Sequence, residues 1–173
     1  MIKILAVPGS LRVNSSSHHI LNAISGMMPT GASLDIFDGV GYLPHFNDAT
    51  EVPESVARFR EKIRMADAVL ICTPEYAFGV PGSLKNALDW TVSSGEFMDK
   101  PVGLVTASSQ GERGHAALLL ILTAISASVI DDAALLIPSV RSKLDVNGLI
   151  KDPRVSESLS KVAKALIDSV QRK

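Results

Sequence analysis

Nearly continuous apolar runs alternate with stretches of helical periodicity along the whole chain, and that alternation restricts the fold more than any other feature. Residues 2–7, 68–72 and 101–107 are apolar at almost every position. A strand reads this way when both of its faces are covered, as in a parallel sheet. A second strand around Leu34, Ile36 and Phe37 has the polar neighbours Ser33, Asp35 and Asp38, which places it at a sheet edge; residues 133–137 supply a fifth. Between the strands, helices are expected over residues 18–28, after Pro53, around Leu84, Ala87, Leu88 and Thr91, over 115–126 and over 152–170. In the helix after Pro53, Val56, Phe59, Ile63 and Met65 form the apolar face, opposite Arg58, Glu61, Lys62 and Arg64. Residues 39–53 read as a long loop, and long loops often border sites. Alternation of this kind predicts an α/β fold, a doubly wound parallel sheet with helices on both faces and right-handed crossovers.

Length is consistent with one domain over residues 1–173. The 17 basic and 18 acidic residues are nearly balanced and form no block of like charge, so no nucleic-acid or membrane partner is expected. The single cysteine, Cys72, lies inside an apolar run and reads as a structural thiol. No secretory signal is read at the start, and the longest uncharged apolar segment, 116–130, is too short to span a bilayer, so the expected location is cytoplasmic. The four histidines have no ligand-like spacing; solvated side chains and no metal are expected.

Ligands of such sheets bind beyond the carboxyl ends of the strands. The polar loops after strands one, three and four all fall at that edge and form one expected site. After the first strand, Ser10, Arg12, Asn14, Ser15, Ser16 and Ser17 gather small donors beside a guanidinium just before a helix, a setting that suits an anion. Neither a dinucleotide fingerprint nor a Walker loop is present, which leaves a monoester phosphate or a plain capped turn as readings. The second loop offers Pro74, Glu75, Tyr76 and Ala77, able to border a flat heterocycle but also consistent with an ordinary exposed loop. The third, residues 108–114, contains Gly111 and Gly114, where backbone can approach a ligand closely. No G-x-S-x-G elbow supports a serine hydrolase.

Taken together, these loops resemble those of the NADPH-dependent FMN reductase family, flavodoxin-like proteins that include quinone, chromate and azo-dye reductases. The family's opening GSLR corresponds to residues 9–12, its following serine to Ser15, and its PEYN and LKNAIDW motifs to PEYA at 74–77 and LKNALDW at 84–90. The resemblance covers nearly the whole chain. It implies a flavodoxin-like five-stranded sheet of order 2-1-3-4-5, bound FMN, and NADPH or NADH as electron donor. It also implies FMN-binding roles for Ser10, Arg12, Ser15 and Ser17 at the phosphate and for Pro74, Glu75, Tyr76, Ala77, Ser108 and Ser109 at the ring. The flavin carries the chemistry, so no catalytic side chain is expected. A ping-pong reaction with a small acceptor, such as a quinone, free flavin, azo compound or chromate, follows from it.

Two positions depart from the family pattern: Ala77 and Ser17 each stand where an asparagine is usual. A flavodoxin-like electron-transfer protein without its own NAD(P)H oxidation is the alternative, although its threonine-rich phosphate loop is missing. A receiver-type signalling domain would want acidic residues where Pro8 and Thr73 stand. The helix over 115–126, apolar around most of its circumference, predicts a homo-oligomer, which the resemblance narrows to a dimer or tetramer.

Overall fold

The computed structural model describes residues 1–48 and 50–172. Five strands, β1 (Ile2–Pro8), β2 (Ala32–Ile36), β3 (Ala68–Thr73), β4 (Pro101–Ala107) and β5 (Ser128–Ile137), form one sheet of order β2-β1-β3-β4-β5. Every neighbouring pair is parallel, so all five carboxyl ends lie along one edge. Four helices connect them, α1 (Ser16–Gly26), α2 (Glu54–Met65), α3 (Gly82–Asp89) and α4 (Glu112–Ala124), and α5 (Pro153–Gln171) follows the last strand.

Successive side chains of a strand point to opposite faces, and the two cores follow from that. Leu5, Val7, Val69, Ile71, Val102 and Leu104 pack against α2, α3 and α4, whereas Ile4, Ala6, Leu70, Cys72, Val105 and Ala107 pack against α1 and α5. The continuous apolar runs are therefore a consequence of double coverage. Edge strand β2 has no fully buried residue, as its polar pattern predicted.

Three details differ from the sequence reading. Met65 is 62% exposed, because nine residues after Val56 places it half a turn away from the apolar face. Strand β5 begins at Ser128 rather than 133. A register shift lets five steps along β5, from Val129 to Ala134, oppose two along β4, and the exposed Asp131 and Asp132 sit in that irregular stretch. Helix α4 begins at Glu112, three residues before the expected start. Its N-terminal turn finds an acceptor in a distant loop, described below.

Candidate functional site

Four loops converge at the carboxyl edge. In the first, the Gly9 amide donates to Cys72 O at 2.8 Å, so β1 and β3 stay paired to their tips. A Cβ at position 9 would overlap Thr73 Oγ1 and lie 3.0 Å from the Thr73 Cα, so only glycine fits this approach. The chain then turns through Asn14, at φ 59°, and closes with Ser15 N donating to Arg12 O at 3.1 Å. Ser15 caps α1: its Oγ accepts from the His18 amide at 3.3 Å and shares a second hydrogen bond with His18 Nδ1 at 2.9 Å. Ser10, Ser15 and Ser17 are all buried. The Ser16 and Ser17 amides lie in the first turn, where a helix offers no acceptor of its own. The Ser17 hydroxyl also hydrogen-bonds the Cys72 thiol, but complete burial dominates there and pushes the thiol up to about 12.

The second loop is anchored by Glu75. Its amide donates to Ser108 Oγ at 3.3 Å, and its Oε2 accepts from the Gly114 amide at 2.6 Å, at the start of α4. Tyr76 and Gly79 then exchange backbone hydrogen bonds of 3.0 and 2.9 Å. Between them Ala77 and Phe78 have φ of 49° and 61°, which makes a turn with two consecutive left-handed residues. The Arg113 guanidinium lies 4.5 Å from the centre of the Phe78 ring.

Loops three and four are stitched together. Ser108 N donates to Ile137 O, Ser139 N to Ser109 O and Val140 N to Ser108 O, at 3.2, 3.1 and 3.0 Å. Gly111, at φ 112°, turns the third loop into α4.

These loops enclose a cleft of about 540 Å³, within the size range of small-molecule sites. Of the residues expected from the sequence, Ser10, Arg12, Ser15, Ser17, Pro74, Glu75, Tyr76, Ser108 and Ser109 line it. Ala77 does not; it is exposed at the tip of its turn. Ser139, Val140, Arg141 and Ser142 line the cleft without having been expected. The signal for them was available, since Pro138 and Ser139 end the fifth strand at the same edge. Two of the histidines also differ from the solvated expectation. His18 joins the first loop, and His115 is partly buried with Nδ1 2.8 Å from Thr106 Oγ1, its pKa lowered by desolvation.

The residues present fit FMN. One end has buried hydroxyls, helix-terminal amides and the Arg12 guanidinium, a set suited to a phosphate, and the other has a wall of peptide and small side chains suited to a flat ring. Among the described residues, no group of three His, Cys, Asp or Glu side chains could hold a metal ion.

A parallel sheet of order 2-1-3-4-5 with its cleft at the carboxyl edge defines the flavodoxin-like class. The chain belongs to the NADPH-dependent FMN reductase family, whose pattern matches residues 2–141. It is 34% identical over 174 aligned residues to an NAD(P)H-dependent FMN reductase of Pseudomonas aeruginosa, covering 95% of this chain and 93% of that one. It is 32% identical to a 2-hydroxy-1,4-benzoquinone reductase of a Burkholderia species, covering 96% and 93%. Among solved structures, the flavoenzyme NAD(P)H:acceptor oxidoreductase FerB of Paracoccus denitrificans superposes with a TM-score of 0.87 at 25% identity, covering 99% and 98% of the two chains. The family is one of oxidoreductases.

Proposed function

We propose that this chain is an FMN-dependent NAD(P)H oxidoreductase that passes electrons to a small acceptor by a ping-pong scheme, the oxidised nucleotide leaving before the acceptor enters. The observation that carries the reading is a polar cleft at the ends of β1, β3, β4 and β5, with buried hydroxyls and a helix N-terminus at one end and the Pro74–Glu75–Tyr76 segment at the other. When bound, FMN supplies the hydride and electron chemistry. The protein's part is to bind and orient it. Ser10, Ser15 and Ser17, with the amides opening α1, hold the phosphate, and Arg12 adds a fixed positive charge. Pro74, Glu75, Tyr76, Ser108 and Ser109 border the ring, and Arg141 stands at the rim. Ala77 shapes the turn behind Tyr76 rather than touching the ring.

The ping-pong order follows from likeness to the flavin reductases, with donor and acceptor meeting the ring in succession. Quinones are the favoured acceptor class, by likeness to the named quinone reductases; free flavin, azo compounds and chromate are further candidates. On α4, Leu118 and Leu122 are buried while Leu120 is 73% exposed, which supports a homodimer or homotetramer. Among the described residues no helix is long and apolar enough to cross a membrane, and the proposed location is the cytoplasm. Titration of the protein with FMN, followed by flavin fluorescence, tests the reading: saturable one-to-one binding is expected, and no binding contradicts it.

A further inference from the structure

Ser15 sits between the proposed phosphate cradle and a second hollow. On one side its residue lines the main cleft; on the other, His18 shares the 2.9 Å hydrogen bond with its Oγ and turns Nε2 toward Asp38 at 3.5 Å. His18 has only 22% of its side chain exposed, whereas Asp38 is 79% exposed. The hollow behind them, about 580 Å³, is also lined by Leu11, Asn22 and Tyr42 and opens to solvent, so His18 forms the wall between the two spaces.

The hydrogen count at Ser15 makes this arrangement more than a cap. A serine hydroxyl has one proton to donate and two lone pairs. The His18 amide already occupies one lone pair. A neutral imidazole whose Nε2–H faces Asp38 leaves Nδ1 as an acceptor, so the Ser15 proton is spent on His18 and none remains for an anion in the cleft. An imidazolium keeps Nε2–H toward Asp38 and donates Nδ1–H to Ser15 Oγ, which frees the hydroxyl proton for the cleft. It also places a positive charge one residue's breadth behind the cradle.

We infer that His18 is a positioning residue that takes up a proton as a phosphate monoester binds and thereby converts Ser15 from a donor to His18 into a donor to the ligand. The inference rests on the reading of the first loop as the FMN phosphate site. Phosphate and proton favour each other reciprocally, as linkage requires. The charged and titratable groups around His18 are Asp38 from the segment after β2, Tyr42 across the hollow, and Arg12, Glu75 and Arg141 in the cleft beyond Ser15. Riboflavin has the same ring without the phosphate and should not engage the coupling.

Flavin fluorescence gives the dissociation constants of FMN and riboflavin for the wild type, His18→Asn and His18→Leu at about pH 5.5 and about pH 8, a span over which histidine changes charge. The asparagine amide donates permanently to Ser15 and cannot titrate. The ratio of the His18→Asn constant to the wild-type constant is expected to lie below one for FMN at the higher pH, where asparagine leaves the Ser15 proton free and a neutral His18 does not, and to rise about three- to ten-fold at the lower. For riboflavin the ratio stays flat. FMN's own titration is common to both proteins and cancels. His18→Leu, which neither accepts from Ser15 nor titrates, also leaves the Ser15 proton free, so its ratio to the wild type follows that of His18→Asn between the two pH values. On the wild type, the imidazole titration seen by proton NMR moves upward when FMN is added and not when riboflavin is added. An FMN ratio independent of pH, or an unmoved imidazole titration, overturns the role of His18. No FMN binding by the wild type at either pH overturns instead the phosphate reading on which it rests.

Discussion

The Glu75 carboxylate accepts a hydrogen bond from the Gly114 amide at 2.6 Å, across 39 positions of sequence. Through that bond the loop after β3 and the first turn of α4 form one unit, with a negative charge placed at the positive end of a helix. Position 114 has little room for a side chain, since a Cβ there would lie 3.0 Å from Glu75 Cγ and 3.2 Å from Gly79 O. One wall of the cleft therefore depends on an acid and a glycine acting together.

Removal of the carboxylate tests that dependence. Glu75→Ala should lower stability by about 1 to 2 kcal/mol, and Glu75→Gln, which keeps an acceptor without the charge, by about half as much. Urea denaturation reads both. Equal midpoints for all three proteins would show the bond to be dispensable.

Ala77 and Phe78, at φ 49° and 61°, occupy the two central positions of a turn whose flanks exchange both backbone hydrogen bonds. Turns of this hand favour Asn-Gly, because asparagine and glycine tolerate the left-handed region that a Cβ disfavours. The family's usual asparagine falls on position 77, so its backbone preference accounts for it without any ligand contact. Ala77→Asn should stabilise the protein by about 0.5 to 1 kcal/mol, or raise Tm by about 1 to 4 °C. A lower Tm in scanning calorimetry counts against this turn.

Cys72 contributes a pH dependence whose sign is definite. Its thiol is raised from 9.0 to about 12 by burial, so above pH 9 the unfolded chain loses a proton that the folded chain retains. Stability is then fully present below pH 9 and falls as pH rises toward 12, by up to about 1.4 kcal/mol per pH unit. Cys72→Ala removes this slope. Measured by urea denaturation at about pH 8 and about pH 10.5, the difference between wild type and variant should shrink by about 2 kcal/mol; a constant difference contradicts the assignment. At neutral pH the same burial leaves the native thiol unreactive to alkylation.

Arg12 is exposed on the first loop and lines the cleft together with Ser10, Ser15 and Ser17. Arg12→Ala should weaken FMN binding about ten- to a hundred-fold and riboflavin binding little. Paired flavin titrations check it, and an unchanged FMN constant removes the role.

The strands most legible in the sequence were those that double burial makes continuously apolar: β1, β3 and β4 come out within a residue of their observed ends. Less was visible where long-range contacts decide. Glu112, Arg113 and Gly114 read as a turn because nothing local shows that Glu75 will cap them, and Asp131 and Asp132 hid the first half of β5 because an edge strand tolerates acids that a central one would not. The cleft lining was readable for the three loops that announce themselves with serines, prolines and glycines. Ser139 and Arg141 were missed although the topology alone puts them at the same edge. His18 was missed for another reason. Its contacts reach Ser15 on one side and Asp38, beyond β2, on the other, and no spacing reports the second.

A cleft that holds FMN for reduction by NAD(P)H and reoxidation by a quinone in separate steps has a direct optical signature. The FMN-loaded protein is mixed with one equivalent of NADPH or NADH in the absence of air, and then with benzoquinone. Bleaching of the flavin absorbance by at least one nucleotide is expected before any quinone is present, with full recovery on quinone addition. A flavin that stays oxidised with both nucleotides until quinone is added, or never bleaches at all, would contradict it.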